Sequence, residues 1–186
     1  MIGNDIIDLK VSLANKRAEN HRFLRKIFNQ DEILTIWNSK NPELMLWQFW
    51  SMKEAAYKAH QRKFNLARKL NPISYNCSLH SGDISGTVEI ERETYILKTV
   101  INPEYIHTWV DSGKNIQKVY DNKSYSRRDL IQDIILELGL NNSYTSISKD
   151  LNGIPSLFLE NDNKSIPFSL SHHGNFTALS IPLIMC

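Results

Sequence analysis

The sequence predicts an α+β fold in which helices pack on antiparallel sheets and form two similar lobes. Three observations support this class. A long helical pattern at residues 43–62 is followed by short β-type runs at residues 74–110. A second helical pattern at residues 125–140 is again followed by β-type runs, at residues 144–181. Helices and strands that are grouped in this way, rather than strictly alternating, are typical of the α+β class.

The N-terminal part of the chain predicts one strand and then helices. Residues 2–9 form a short apolar run, which favours a strand. Residues 17–40 are mostly helical, with a break at residues 29–30. Pro42 can open the next helix, because proline is tolerated in a first turn. One stripe of that helix has side chains at three- and four-residue spacing: Trp47, Trp50, Glu54, Lys58 and Gln61.

The rest of the chain alternates sheet and helix signals. The runs YNCSL, GTVEI, YILKTVI and YIHTWV are separated by turn residues, which predicts an antiparallel meander. Residues 111–124 are polar and predict a linker. After the second helix, the runs YTSIS, PSLFL, IPFSLSH and FTALSI predict further strands. We therefore expect two lobes, residues 1–112 and residues 118–186.

Composition excludes several classes of protein. The net charge of +2 is too small to indicate a nucleic-acid-binding protein. No run approaches the roughly 20 apolar residues that span a bilayer, so we expect no membrane segment. Only Cys77 and Cys186 occur, and the N-terminus lacks a charged leader. These features predict a cytoplasmic protein in a reducing compartment.

Positive charge is nevertheless concentrated in two segments. Residues 10–28 contain six Lys or Arg residues against Glu19 alone, and residues 58–69 contain five without an acid. Local basic surfaces on a nearly neutral protein indicate an anionic ligand, an acidic partner, or both.

Glu54 and Asp5 are the acids best placed for chemistry. Glu54 shares its stripe with two tryptophans, and a carboxylate on a partly buried face is costly unless it is paired or binds a metal. Lys58 lies one turn later, so an ordinary helix-stabilising pair is the alternative. Asp5 lies between isoleucines in the first strand, where a strand-end acid is the alternative. Two acids from separate elements could hold Mg²⁺, which prefers oxygen ligands.

The segment SLSHHGN at residues 169–175 is the third candidate. On a regular strand, Ser169, Ser171 and His173 share one face, while Leu170 and His172 share the other. Hydroxyl and imidazole groups can donate hydrogen bonds to phosphate. A polar surface hairpin is the alternative interpretation.

Three segments together resemble the motifs of the 4′-phosphopantetheinyl transferase superfamily. They are GNDIID at residues 3–8, WSMKEAAYK at residues 50–58 and SLSH at residues 169–172. The second segment, of the form W-x-x-K-E-x-x-x-K, is the most specific. Residues 22–28 and the Gly-Ile-Pro turn at residues 153–155 are also similar to family segments, so the resemblance touches nearly the whole chain.

The order of the motifs resembles a circular permutation of the two-lobed, surfactin-synthetase-activating type. In that type the lobe with S-x-S-H comes first, whereas here it comes last. The resemblance implies a monomer with its active site between two lobes. The alternative is the short holo-acyl-carrier-protein synthase type, which has this motif order in one lobe and assembles as a homotrimer.

The resemblance also implies the reaction and its participants. The family transfers the 4′-phosphopantetheine group of coenzyme A to a serine of an acidic apo carrier protein. By resemblance, Asp5 and Glu54 would hold Mg²⁺, Glu54 and Lys58 would be catalytic, and Lys58 would also contact the phosphates. The other implied contacts to coenzyme A come from Lys53, Ser171 and His172. The basic residues 10–26 are the expected docking surface.

Two departures from the family pattern bear on these roles. Ile7 replaces a third carboxylate, and Ile154 replaces the lysine of the G-K-P turn. Arg128, Lys114 and Lys118 are the expected replacements for that lysine. The rival functions are a non-catalytic module that binds acidic carrier proteins and a Mg²⁺ nuclease or phosphatase, but neither explains the S-x-S-H segment.

Overall fold

A computed structural model describes residues 1–80, 82, 84–113, 115–139, 145–159 and 164–183. The helices are α1 (Leu9–Ser12), α2 (His21–Ile27), α3 (Gln30–Asn38), α4 (Pro42–Phe64) and α5 (Arg127–Glu137), with a short 3₁₀ turn at Pro72–Ser74. The strands are β1 (Asn4–Asp8), β2 (Tyr75–Leu79), β3 (Ser85–Ile90), β4 (Glu93–Ile101), β5 (Tyr105–Val110), β6 (Asn115–Asp121), β7 (Thr145–Lys149), β8 (Pro155–Leu159), β9 (Lys164–Pro167), β10 (Ser169–His173) and β11 (Phe176–Pro182).

The first sheet is five-stranded and antiparallel, in the order β1-β5-β4-β3-β2. The predicted meander is confirmed, and the first strand of the chain joins its edge through β5. Helix α4 packs on one face, where its buried Met52, Ala55 and Ala59 share a core with Tyr95 and Leu97 of β4. Burial of these apolar side chains holds the helix that carries Glu54 against the sheet.

Helix α4 lies unusually close to the chain entering β1. A Cβ atom on Gly3 would lie 2.2 Å from the carbonyl oxygen of Ala55 and 2.7 Å from the backbone nitrogen of Ala59. Only glycine fits at this crossing. The close approach brings the start of β1, and with it Asp5, next to the middle of α4.

The expectation of a linker at residues 111–124 is wrong for its central part. Residues 115–121 form β6, which pairs antiparallel with β11, and the second sheet has the order β10-β11-β6. Tyr120 is buried in a core with Ile134 of α5 and Leu179 of β11. The polar composition hid this strand because its partner lies about 60 residues away in sequence, so the pairing is not a local signal.

The third sheet has the order β7-β8-β9 and is antiparallel. The expected strand at residues 166–172 is divided between two sheets. Strand β9, which ends at Pro167, pairs with β8, whereas strand β10, which begins at Ser169, pairs with β11. Phe168, at the break, is fully buried in the core shared with α5.

The two parts of the chain meet along β1. The backbone N–H of Asn4 donates to Ser169 Oγ at 3.1 Å, and the N–H of Asp8 donates to His173 Nδ1 at 2.8 Å. The α+β class with antiparallel sheets is confirmed. The likeness between the two lobes and their boundaries stay predictions. Among the helices described, none combines the length and apolar character needed to cross a membrane.

Candidate functional site

A cavity of about 520 Å³ lies between helix α4 and the C-terminal part of the chain. Its α4 wall includes Glu54, Lys58 and Arg62, which follow one another at four-residue spacing and so face the same way. The opposite wall includes Asn122 after β6 and His172 of β10. Two segments that are distant in sequence therefore enclose one space.

At one end of the cavity, Lys58 bonds to the first strand. Its Nζ donates to Asp5 Oδ1 at 3.0 Å and to the carbonyl oxygen of Asn4 at 3.0 Å. Asp5 is buried, and within the described part of the chain its Oδ2 has no hydrogen-bond partner. Burial raises the pKa of Asp5 above its ordinary value, although the nearby Lys58 charge acts in the opposite direction.

Glu54 lies beside this pair without joining it. Among the described residues, Lys58 forms its ion pair with Asp5. The simple helix pair between Glu54 and Lys58 is therefore not observed. Burial and then the charge of Asp5 raise the pKa of Glu54 to about 7, against the lowering effect of Lys58 and Arg68. A carboxyl group with this pKa can gain or lose a proton near neutral pH.

The two carboxylates suit a hard divalent cation. Asp5 Oδ2 is a buried oxygen without a regular hydrogen bond among the described residues, although the Ser51 side chain lies close enough to lower the pKa of Asp5. The mutual repulsion of Asp5 and Glu54 is the kind that a cation relieves. The described residues contain no cluster of three or more His, Cys, Asp or Glu side chains placed for a metal. Mg²⁺ does not require one, because it keeps several waters and shares substrate phosphates.

The expected alternation of the S-x-S-H strand is confirmed. His172 faces the cavity, and its Nδ1 lies 3.1 Å from Asn122 Nδ2 and 3.2 Å from Thr177 Oγ1. Ser171 points to the opposite face, is buried, and accepts a hydrogen bond from Asn4 Nδ2 at 3.4 Å. The structure therefore brings His172 to the cavity, while Ser171 joins β10 to β1.

A sequence model of the 4′-phosphopantetheinyl transferase superfamily matches residues 1–110. The chain belongs to this superfamily. Over 58 residues it is 40% identical to a holo-[acyl-carrier-protein] synthase of Protochlamydia amoebophila (strain UWE25). These 58 residues are 31% of this chain and 48% of that relative. The aligned segment thus spans about half of the relative's length. No solved structure is significantly similar to the chain.

Lys53 does not have the expected phosphopantetheinyl transferase role of contacting coenzyme A. Its side chain is fully buried, and Nζ donates to Glu32 Oε2 at 2.7 Å, Ile27 O at 2.9 Å and Pro72 O at 2.8 Å. An ammonium group has three donors, and all three are used inside the protein. Lys53 therefore ties α2, α3 and the 3₁₀ turn to α4, and it has no donor left for coenzyme A.

Of the expected replacements for the family's G-K-P lysine, the two that the structure describes do not line the cavity either. Arg128 is exposed on α5 and is not part of the cavity wall. Lys118 pairs with Glu137 at 2.6 Å and Asp133 at 3.5 Å, and the hydrogen bond to Glu137 is the main cause of its raised pKa. Lys114 lies outside the described residues. Proximity in sequence does not determine which cations line the cavity.

Besides Lys58, the described cations that line the cavity are Arg62, Arg68 and Lys149. Sequence reasoning did not assign them individually. The signal was the acid-free basic run at residues 58–69, which contains Lys58 and both arginines. Only the helical register and the path of the chain after α4 show which of its cations face the ligand space.

Asp8 and Ile7 are placed for structure rather than for metal binding. Asp8 Oδ1 accepts from the N–H of Lys10 at 2.9 Å and Oδ2 accepts from the N–H of Asn175 at 2.9 Å. Burial alone would raise the pKa of Asp8, but these backbone hydrogen bonds lower it below its ordinary value. Ile7 is buried in an apolar cluster with Leu9 and Ile106. Glu54 lines the cavity and Asp5 contacts Lys58, which also lines it, so these two acids are the candidate metal ligands.

Proposed function

We propose that this superfamily member transfers the 4′-phosphopantetheine group of coenzyme A to a serine of an apo carrier protein and releases adenosine 3′,5′-bisphosphate. The observation that carries the proposal is the grouping of Asp5, Glu54 and Lys58 at one end of a cavity lined by further cations. The relative from Protochlamydia amoebophila, named as a holo-[acyl-carrier-protein] synthase, adds support for this reaction.

Mg²⁺ would be held by Asp5 and Glu54, with water and diphosphate oxygens as its other ligands, and when bound it supplies positive charge to the reacting phosphates. The Lys58 ammonium, between Asp5 and the cavity, is within one helical turn of Glu54 and can contact the same phosphates as a compact charge. This positive charge stabilises the developing charge of phosphoryl transfer.

In the proposed reaction, the serine oxygen of the carrier forms a bond to the phosphorus next to the pantetheine arm. The bond from that phosphorus to the bridging oxygen breaks, and the adenosine 3′,5′-bisphosphate leaves. Glu54, directly or through a water bound to the metal, is the proposed acceptor of the serine proton. His172 and Asn122, on the opposite wall, are positioned to hold the nucleotide end of coenzyme A.

The exposed basic residues of α1 and α2 and the segment between them suit an acidic partner. Lys10, Arg22, Arg25 and Lys26 are exposed, while the neighbouring Leu24, Ile27 and Phe28 are buried in the main core. The apolar side chains are therefore fixed by packing, and the basic ones are free to steer an acidic carrier protein by charge. We propose a monomer in the cytoplasm, with the homotrimer as the alternative.

The experiment is to incubate the protein with coenzyme A, Mg²⁺ and an apo acyl carrier protein and to measure the mass of the carrier. A gain of one phosphopantetheine group supports the proposal, and no gain with any carrier tested contradicts it. Glu54→Gln is the control, because it keeps the size of the side chain but removes its proton acceptor. The rival non-catalytic module predicts carrier binding without a mass gain, and sedimentation separates monomer from trimer.

A further inference from the structure

The two ring nitrogens of His172 have different surroundings. Nδ1 lies 3.1 Å from Asn122 Nδ2 and 3.2 Å from Thr177 Oγ1. Both hydrogen-bond contacts that described residues make with this side chain involve Nδ1, so Nε2 is left to the cavity that His172 lines. A neutral imidazole has one donor nitrogen and one acceptor nitrogen. The partner of Nδ1 therefore decides which role remains for Nε2.

The orientation of the Asn122 amide is fixed by two groups other than His172. Its Nδ2 donates to the carbonyl oxygen of Gly174 at 3.3 Å, and a carbonyl oxygen can only accept. Its Oδ1 accepts the hydroxyl proton of Thr177 at 2.6 Å. Exchanging the amide oxygen and nitrogen would place two acceptors against each other at Gly174. Asn122 therefore presents an N–H group to His172.

The ring proton of neutral His172 then belongs on Nε2. A hydrogen on Nδ1 would meet the amide N–H of Asn122 across 3.1 Å, so two donors would oppose one another. Thr177 has a single hydroxyl proton and gives it to Asn122. The amide hydrogens of Asn122 are used by Gly174 and His172, so Asn122 has no donor left for a ligand.

The backbone keeps this group of side chains in place. The N–H of Asn122 donates to the carbonyl oxygen of Asn175 at 2.7 Å, in the turn between β10 and β11. The N–H of Asn175 donates in turn to Asp8 Oδ2 at 2.9 Å. His172 and Thr177 are opposite one another in the β10–β11 pairing, so their side chains share one face of the sheet. The contacts of Nδ1 thus follow from the fold and do not require a ligand.

We propose that Asn122 is a positioning residue, which holds the ring of His172 and its Nε2–H tautomer so that this N–H is presented to an anionic group in the cavity. The inference rests on the proposed function, in which the ligand carries phosphates. An N–H group can donate to a phosphate oxygen, whereas the other tautomer would direct a lone pair at it. Because the ring is already held, the ligand does not have to immobilise it on binding.

The first test locates the ring proton by nitrogen NMR of protein with isotopically labelled histidine, at a pH of 8, with His172→Gln identifying the signals. The wild type should carry the proton on Nε2. Asn122→Asp replaces the amide N–H with a carboxylate oxygen that accepts, so the proton should move to Nδ1. Asn115→Asp, at the start of β6, makes the same chemical change away from His172 and should leave the proton on Nε2.

The second test measures coenzyme A binding by titration calorimetry. Asn122→Leu keeps the approximate size of the side chain but removes its hydrogen bonds. Its affinity should fall about two- to tenfold, as expected when the ligand must immobilise a freed side chain. In the His172→Gln background the same change should have almost no further effect, because Asn122 acts through His172.

Three results would overturn the inference. A proton on Nδ1 in the wild type, or on Nε2 in Asn122→Asp, would show that Asn122 does not set the tautomer. Additive losses of affinity in the double variant would show that Asn122 does not act through His172. If the wild type does not bind coenzyme A, the proposed function is contradicted, and the NMR measurement alone then decides the position of the ring proton.

Discussion

The Nζ atom of Lys58 lies 3.0 Å from Asp5 Oδ1, although Glu54 is the acid one helical turn away on the same helix. The lysine thus joins α4 to β1 instead of stabilising α4 alone. This contact holds a positive charge against the most deeply buried carboxylate of the candidate site. It makes the two acids inequivalent, because Asp5 has a counter-charge in contact and Glu54 does not.

Lys58→Met should abolish measurable transfer and also lower stability. Removing the ammonium leaves the buried carboxyl of Asp5 without its partner. Breaking a buried ion pair in this way costs about 3–5 kcal/mol of stability, and the cost is smaller here because Lys58 is partly exposed to solvent. Urea unfolding at pH 8 measures the loss. Asp5→Asn/Lys58→Met should recover part of it, whereas no recovery in the double variant would show that the two side chains are not coupled.

The free energy of unfolding should depend on pH through Glu54 in metal-free buffer. Its pKa is raised from 4.5 to about 7, so the folded protein binds this proton more tightly than the unfolded chain does. The contribution is complete below pH 4.5 and is lost as the pH rises through about 7. Glu54→Gln should therefore be more stable than the wild type at pH 8, by at most about 3 kcal/mol.

At pH 4.5 the wild type and Glu54→Gln should have nearly equal free energies of unfolding, because Glu54 is then protonated in the folded wild type. Urea unfolding at both pH values, with a chelator present, measures the difference. A stability difference that does not change with pH would contradict the raised pKa of Glu54.

Lys53→Met should destabilise the fold without changing the affinity for coenzyme A. The variant leaves the buried Glu32 carboxylate without its cation and should cost about 3–5 kcal/mol. Lys53→Met/Glu32→Gln should recover only part of this loss. Glu32 accepts the backbone N–H groups of Asn29 and Cys77 on its two oxygens, and the single amide oxygen of glutamine can accept only one of them. A large loss of coenzyme A affinity in the folded variant would restore Lys53 to the binding site.

Gly3→Ala should impair both stability and transfer. The added methyl group would lie 2.2 Å from the carbonyl oxygen of Ala55, so β1 and α4 must move apart. Overpacking of this kind costs about 1–3 kcal/mol, and it also separates Asp5 from Lys58. Thermal unfolding and the carrier mass assay measure the two effects. Gly113→Ala adds a methyl group without crowding, but at a φ of +72° it strains the backbone, so it should lower stability and leave transfer unchanged.

The sequence predicted the main helix, the meander and the alternation of side chains along β10 because each depends on local periodicity. It did not show that His172 faces the cavity while Ser171 faces β1. It did not predict β6, whose partner β11 is distant in sequence. It also could not separate Lys53 from Lys58, since both are lysines of one motif on one helix. Packing decides between them: Lys53 points into the core beside Glu32, and Lys58 points toward Asp5 and the cavity.

The assignment of cations failed for a similar reason. Arg128 in the second helix and the nearby Lys118 were expected near the ligand, but the cavity is lined by Arg62 and Lys149 instead. The turn that follows Lys149 is joined to the end of α4 by hydrogen bonds between Asn152 and Asn65, which are far apart in the chain. Such a contact is visible only after both segments have folded.

The hydrogen bonds from β1 to the side chains of β10 have a mechanical consequence. The strand that carries Asp5 is bonded to β5 along one edge, and Ser169 and His173 bind two of its backbone N–H groups. Asp5 therefore cannot shift toward or away from a ligand without breaking contacts with both halves of the chain. A ligand that enters the cavity therefore meets a carboxylate whose position is already set by the fold.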